Sequence, residues 1–106
     1  MKLLTKEILK KLPQLGSTSE LSTKDIKVML KLFTPDAYCA WYITEYDGDD
    51  LFFGFASFGD DSLAELGYMS KSELESVRGS IGLPIERDKF WDDNTTLEQV
   101  MNFEVR

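Results

Sequence analysis

Apolar residues along this chain recur with two periods, one near four and one of two, and the switches between them mark out the elements. Thr5 stands ahead of Ile8, Leu9 and Leu12. That spacing predicts a short helix capped by Thr5 and limited by Pro13, with Leu3 or Leu4 placed to pack back on Leu9. Residues 16–24 are polar and rich in Ser and Thr, which predicts a loop. Ile26, Val28, Leu30 and Leu32 then alternate with other residues, as in a strand with one apolar face. Thr34-Pro35-Asp36-Ala37 is a turn signal.

Residues 38–46 are aromatic and β-branched and predict a second strand. Strict alternation puts Cys39, Trp41 and Ile43 on one face and Tyr38, Ala40, Tyr42, Thr44 and Tyr46 on the other. Asp47-Gly48-Asp49-Asp50 is a hairpin connection, and residues 51–58 are the return strand. A turn at 59–62 leads to a fourth strand at 64–69. Ser70 and Glu73 have capping-box spacing, with Leu74 and Val77 facing the core and Gly79 suited to a left-handed helix end. Residues 81–87 are extended and interrupted by Pro84. Thr95 and Glu98 give a second capping box before Leu97, Val100 and Met101. The order α-β-β-β-β-α-(β)-α implies an α+β fold: an antiparallel β-meander of about four strands with short helices packed against one face. Phe52 and Phe53 cannot face the same core, so either a second layer covers the sheet or aromatic side chains stay exposed.

Composition narrows the function classes. A length of 106 residues fits one domain, 1–106. Seven Phe, four Tyr and two Trp exclude a disordered acidic tail. No apolar run approaches a membrane span, and charges break up the N-terminal apolar stretch too early for a signal peptide. The lone Cys39 fits a reducing, cytoplasmic setting. The chain has no His, which removes the commonest general base and metal ligand. An enzyme is therefore not expected, nor a catalytic residue, metal or cofactor.

Charge is the strongest remaining clue. The net charge of −7 is unevenly spread: residues 1–31 hold seven Lys against three acids, whereas residues 32–70 hold eight acids and no Lys or Arg. The balance argues against direct nucleic-acid binding, which needs clustered cations. Glu45, Asp47, Asp49, Asp50, Asp60, Asp61 and Glu65 are the candidate partner-binding residues. The 45–50 cluster is no EF-hand, because Phe52 and Phe58 stand where Gly and Glu are required. Glu45 and Glu65 are candidates for paired-carboxylate chemistry only if they converge. Arg78 and Arg87 are secondary candidates, either gripping a carboxylate or phosphate or tying the end of a helix to the next segment. The expected partner is a protein, with nucleic-acid-binding proteins among the candidates. No small-molecule substrate and no membrane are expected.

Several stretches occur together in this order: Leu32-Phe-Thr-Pro-Asp, the run from Trp41 to Gly54, Glu65-Leu-Gly-Tyr, Ser72-Glu-Leu-Glu-Ser-Val-Arg-Gly and Gly82-Leu-Pro-Ile-Glu-Arg-Asp. The chain resembles a family of small bacterial proteins classed as a domain of unknown function and found on chromosomes, plasmids, integrative elements and phages. The resemblance runs from about Leu3 to about Thr96. It supplies no reaction, cofactor or catalytic residue. It departs at Lys71, where an apolar residue is usual, at Ser80, where Pro is usual, and in a longer acidic turn around Asp60 and Asp61. Mobile-element occurrence implies an acidic inhibitor or modulator of a nucleic-acid-binding bacterial protein, of anti-CRISPR or anti-restriction type. The alternatives are an accessory protein of plasmid or integrative-element biology without mimicry, and a carboxylate-dependent enzyme or metal binder.

Overall fold

A computed structural model describes residues 4–59 and 61–104, with only the backbone of Asp61. The elements follow in the order α1 (Lys6–Lys11), β1 (Leu30–Phe33), β2 (Cys39–Tyr46), β3 (Leu51–Phe58), a 3-10 turn (Asp61–Leu63), β4 (Glu65–Ser70), α2 (Lys71–Ser76), β5 (Glu86–Arg87) and α3 (Leu97–Met101). The strands form one antiparallel sheet in the order β4-β3-β2-β1-β5, so the α+β meander gains a short fifth strand from the segment after Pro84. The hairpin expected across residues 47–50 forms, pairing Cys39 with Phe58 through to Tyr46 with Phe52. Gly48 sits at its tip with φ of 88°, a conformation glycine adopts without a Cβ penalty.

Helices cover both faces, not one. Leu74 of α2 joins Leu30, Leu32, Trp41, Ile43, Phe52, Ala56 and Ile85 in a front core, against which Leu4, Ile8 and Leu9 also pack. Leu97 and Val100 of α3 join Ile26, Val28, Tyr42 and Phe55 in a back core. Trp41 is 6% exposed on the same side as Ile43. Phe52 is fully buried in front, while Phe53 lies behind, edge-on to Tyr68 at 5.1 Å.

The chain departs locally from the path its pattern predicts. The run from Ile26 to Leu32 is not one strand. Ile26 and Val28 belong to the back core and Leu30 and Leu32 to the front, so the chain changes sides between them. Its first half is held by α3's entry, with Val28 N–H donating to Thr95 O (2.8 Å) and Leu97 N–H to Ile26 O (2.8 Å). β2 also breaks step. The pairing skips from Ile43–Gly54 to Glu45–Phe53, leaving Thr44 as a bulge residue whose hydroxyl donates to Phe53 O at 3.1 Å. After it Glu45 lies opposite Phe53 on the back, and Tyr46 stacks on Phe52 in front, the reverse of strict alternation. Thr96 rather than Thr95 caps α3, in a reciprocal box with Gln99. Thr95 is buried instead.

The helix ends follow from local chemistry. Thr5 caps α1 by accepting from Ile8 N–H, and Ser70 caps α2 by accepting from Glu73 N–H. Leu3 lies outside the described residues. Gly79 does not terminate α2 in the left-handed region; the helix ends at Ser76 with an extended Val77. Glycine is required there because a Cβ would fall on the Asp36 carboxylate.

Candidate functional site

The acid-only stretch resolves into structural carboxylates and free ones. Glu45 is only 4% exposed. The bulge at Thr44 turns it toward residues 13–18, which run beside the end of β2 through Leu15 N–H to Tyr46 O and Tyr46 N–H to Pro13 O. Its Oε1 accepts from Gly16 N–H at 2.8 Å and its Oε2 from Thr18 N–H at 2.9 Å and from the Thr18 hydroxyl. Burial alone would raise this carboxyl, but the Thr18 hydroxyl and the two amides outweigh it and hold the pKa below its ordinary value. Glu45, one of the candidate partner-binding residues, is thus a loop anchor whose oxygens are engaged inside the fold.

Asp47 and Asp50 organise the hairpin tip. Asp47 Oδ1 accepts from the amides of Asp49, Asp50 and Leu51 at 2.8–3.0 Å. The Leu51 amide leads in holding that carboxyl below the usual range. Asp50 reaches across to α2, taking hydrogen bonds from the Ser70 hydroxyl (2.6 Å), the Ser72 amide (2.8 Å) and the Ser72 hydroxyl (2.9 Å). Those donors, the Ser70 hydroxyl first, depress its pKa. A carboxylate at the start of a helix also answers the helix dipole. Asp49 and Glu65 are exposed and make no hydrogen bond through their carboxylates among the described residues. Asp60 lies outside the described residues, and of Asp61 only the backbone within the 3-10 turn is described.

The sheet keeps these groups apart. The 47–50 tip and the 59–64 connection lie at opposite ends of β3, eight residues or about 26 Å apart at strand rise. Glu45 and Glu65 do not converge, because Glu45 faces the back, Glu65 lies opposite front-facing Ala56, and β3 stands between them. Among the described residues no three His, Cys, Asp or Glu side chains group as a metal site would need. A hollow of about 490 Å³ between α1 and the hairpin is lined by Leu9, Leu12, Tyr46, Lys6, Lys10 and Asp47, with a single carboxylate.

Arg78 donates through Nη1 to Val77 O (2.9 Å) and Glu75 O (3.3 Å), closing the carbonyl end of α2. Arg87 sits on β5 opposite front-facing Leu32 and also borders a hollow lined by Lys31, Phe33, Lys89 and Phe90. The two arginines are thus placed on separate features.

Asp36 enters the sequence pattern only as a turn residue within the charge run, yet it organises a turn cluster. Its Oδ2 accepts from Ile81 N–H (2.8 Å) and Leu83 N–H (3.2 Å), its carbonyl from the Ser80 hydroxyl (2.6 Å), and its buried Oδ1 lies against Gly79. This ties residues 79–83 to the β1–β2 turn. Tyr38 of that turn touches Gly59 at the end of β3. Three connections therefore meet at one end of the sheet, and they carry exposed apolar side chains: Tyr38 at 88%, Ile81 at 77%, and Leu63, Phe58 and Leu83 at 43–58%. The one sequence signal that could have exposed Asp36's role is a turn Asp in the family-like Thr-Pro-Asp run.

No curated protein and no solved structure matches the chain. The family model described as "Protein of unknown function (DUF2958)" matches residues 3–103, nearly the whole length, and the chain belongs to that family.

Proposed function

We propose that the protein acts by binding a protein partner, without turnover of a substrate, and that its contact surface is the sheet end where the 34–38, 59–64 and 79–83 connections meet. The observation that carries this reading is the set of exposed apolar side chains at this end, led by Tyr38 and Ile81, with Asp36 holding the amides of Ile81 and Leu83. Aromatic and aliphatic groups held ready on a rigid frame are the material of interface centres, where ordering them on binding adds little entropic cost. The sequence of the 59–64 connection includes Asp60 and Asp61 and so adds two acids to it. A net charge of −7 favours encounter with a basic partner, chiefly through the association rate. In its most concrete form the partner is a nucleic-acid-binding bacterial protein whose activity this chain modulates, in an anti-restriction or anti-CRISPR role.

The internal use of Asp36, Glu45, Asp47 and Asp50 favours an apolar-anchored contact over imitation of a phosphate backbone. The accessory-protein reading fits that contact equally and differs only in what the partner does. The test immobilises three proteins: wild type, Tyr38→Ser/Ile81→Ser, and a variant with Asp49, Asp60 and Asp61 changed to Asn and Glu65 to Gln. Each is offered a bacterial lysate at low and moderate salt. The apolar variant should lose the captured protein, and the charge variant should bind it more slowly and with less salt dependence. Equal capture by all three refutes the surface.

A further inference from the structure

The two edges of the sheet are built differently. One edge is β5, two charged residues long, Glu86 and Arg87. Short charged edges resist pairing with other chains. The other edge is β4, Glu65–Ser70, paired to β3 without interruption over six positions. It carries no Lys, no Pro and no bulge, and Glu65 is its one charge.

Lys71 N–H donates to Asp50 O at 2.7 Å, just beyond the Leu51–Ser70 pair. In an antiparallel ladder that bond marks Leu51–Ser70 as a pair that does not exchange hydrogen bonds itself. Alternation then makes Phe53–Tyr68 and Phe55–Leu66 pairs of the same kind. The N–H and C=O of Leu66 and Tyr68 therefore point away from β3, and among the described residues nothing receives them. Their side chains are also exposed, at 39% and 66%.

We propose that a second copy of this chain pairs along β4, antiparallel, about a two-fold axis through Gly67. The strand complements itself in that register. Leu66 meets Tyr68 of the second copy, and Tyr68 meets its Leu66, both as hydrogen-bonded pairs joining an aliphatic and an aromatic group on the back face. Glu65 faces Met69 of the second copy, so no like charges are opposed. Gly67 meets its own copy at a non-hydrogen-bonded position, where the backbones come closest. The contact is isologous and closes at two copies, since the β5 edge offers no equivalent.

The test uses two readouts on the full chain. Sedimentation from about 10 μM to about 1 mM, the range of weak interfaces, should show a monomer–dimer equilibrium in wild type. Leu66→Lys/Tyr68→Lys should weaken it by about tenfold or more. The second readout is Gly67→Cys in a Cys39→Ser background. A Cβ at Gly67 meets nothing within 4 Å, so this variant should fold as wild type does. At the axis the two introduced sulfurs come within disulfide reach, so mild oxidation should give a covalent dimer, while Lys89→Cys in the same background should not. A monomer throughout the concentration range overturns the proposal. So does a dimer that survives the lysine variant, or one that the Gly67→Cys variant fails to cross-link.

Discussion

Replacing Glu45 by Ala removes the acceptor for three donors at once: the amides of Gly16 and Thr18 and the Thr18 hydroxyl. Hydrogen bonds to a charged group contribute about 1.5–3 kcal/mol each, so three sum to at least about 4–5 kcal/mol. Gly16 is exposed and Thr18 half-buried, so once released their donors regain water. The expected loss is therefore about 2–4 kcal/mol, or a melting temperature lower by about 10–20 °C for a domain of this size. The assay is thermal unfolding followed by circular dichroism, with amide exchange resolved at residues 13–18. Protection at Gly16 and Thr18 should collapse while that of β2 and β3 persists, because the loop is anchored by the carboxylate and the strands by each other. Glu45→Gln, which keeps one acceptor, should fall between. A melting temperature within about 3 °C of wild type, with Gly16 and Thr18 still protected, would refute the anchor.

The front core predicts that Trp41→Ala loses about 3–5 kcal/mol in urea unfolding, as for a large buried aromatic; an unchanged midpoint would place Trp41 outside the core. Gly79→Ala should destabilise by about 1–3 kcal/mol, since the new methyl occupies the space of the Asp36 carboxylate; a neutral or stabilising outcome would show that the two are not in contact. The carboxyls of Glu45, Asp47 and Asp50 are all depressed in the folded state, so on acidification the unfolded chain takes up protons first. Their stabilisation is complete above about pH 4–4.5, the unfolded values, and is lost as pH falls through the folded ones. Melting temperature should be flat from about pH 7 to about 5 and drop below about 4, and Asp50→Asn should make that acid limb shallower. An identical limb in Asp50→Asn would mean that its serine contacts do not persist in solution.

Much of the architecture is legible because several signals agree. The β2–β3 hairpin combines aromatic strands with a glycine-bearing acidic turn, and the caps at Thr5 and Ser70 combine a hydroxyl with helical spacing after it. The failures occur where a pattern supports two readings. Both faces of β2 are apolar, so alternation carries no record of the extra residue at Thr44, and charge alone places Glu45 on the surface. Ile26 to Leu32 keeps perfect alternation while changing sides, because its first half is held by α3, from the far end of the sequence, rather than by β2. Thr95 and Thr96 are both capping residues by type, and only the carbonyl of Thr95 being engaged with Val28 decides between them. The candidate site is less legible. Sequence reveals where the acids are, but not which of them find amide and hydroxyl donors in other segments.

The extra residue in β2 also governs which changes in length the chain can absorb. A loop that gains or loses one residue recloses at small entropic expense. Position 44 is inside a strand, where one residue is half a repeat. Deleting it would only turn the bulge into a regular ladder, with Ile43–Gly54 followed directly by Glu45–Phe53, whereas one residue lost elsewhere in the strand would act as a frameshift in space and exchange the faces of the residues it displaces. Two residues lost together would preserve the phase and shorten the strand instead. Length variation among relatives should therefore come in even steps across this strand, apart from the single bulge residue at 44, and in any step across the turns.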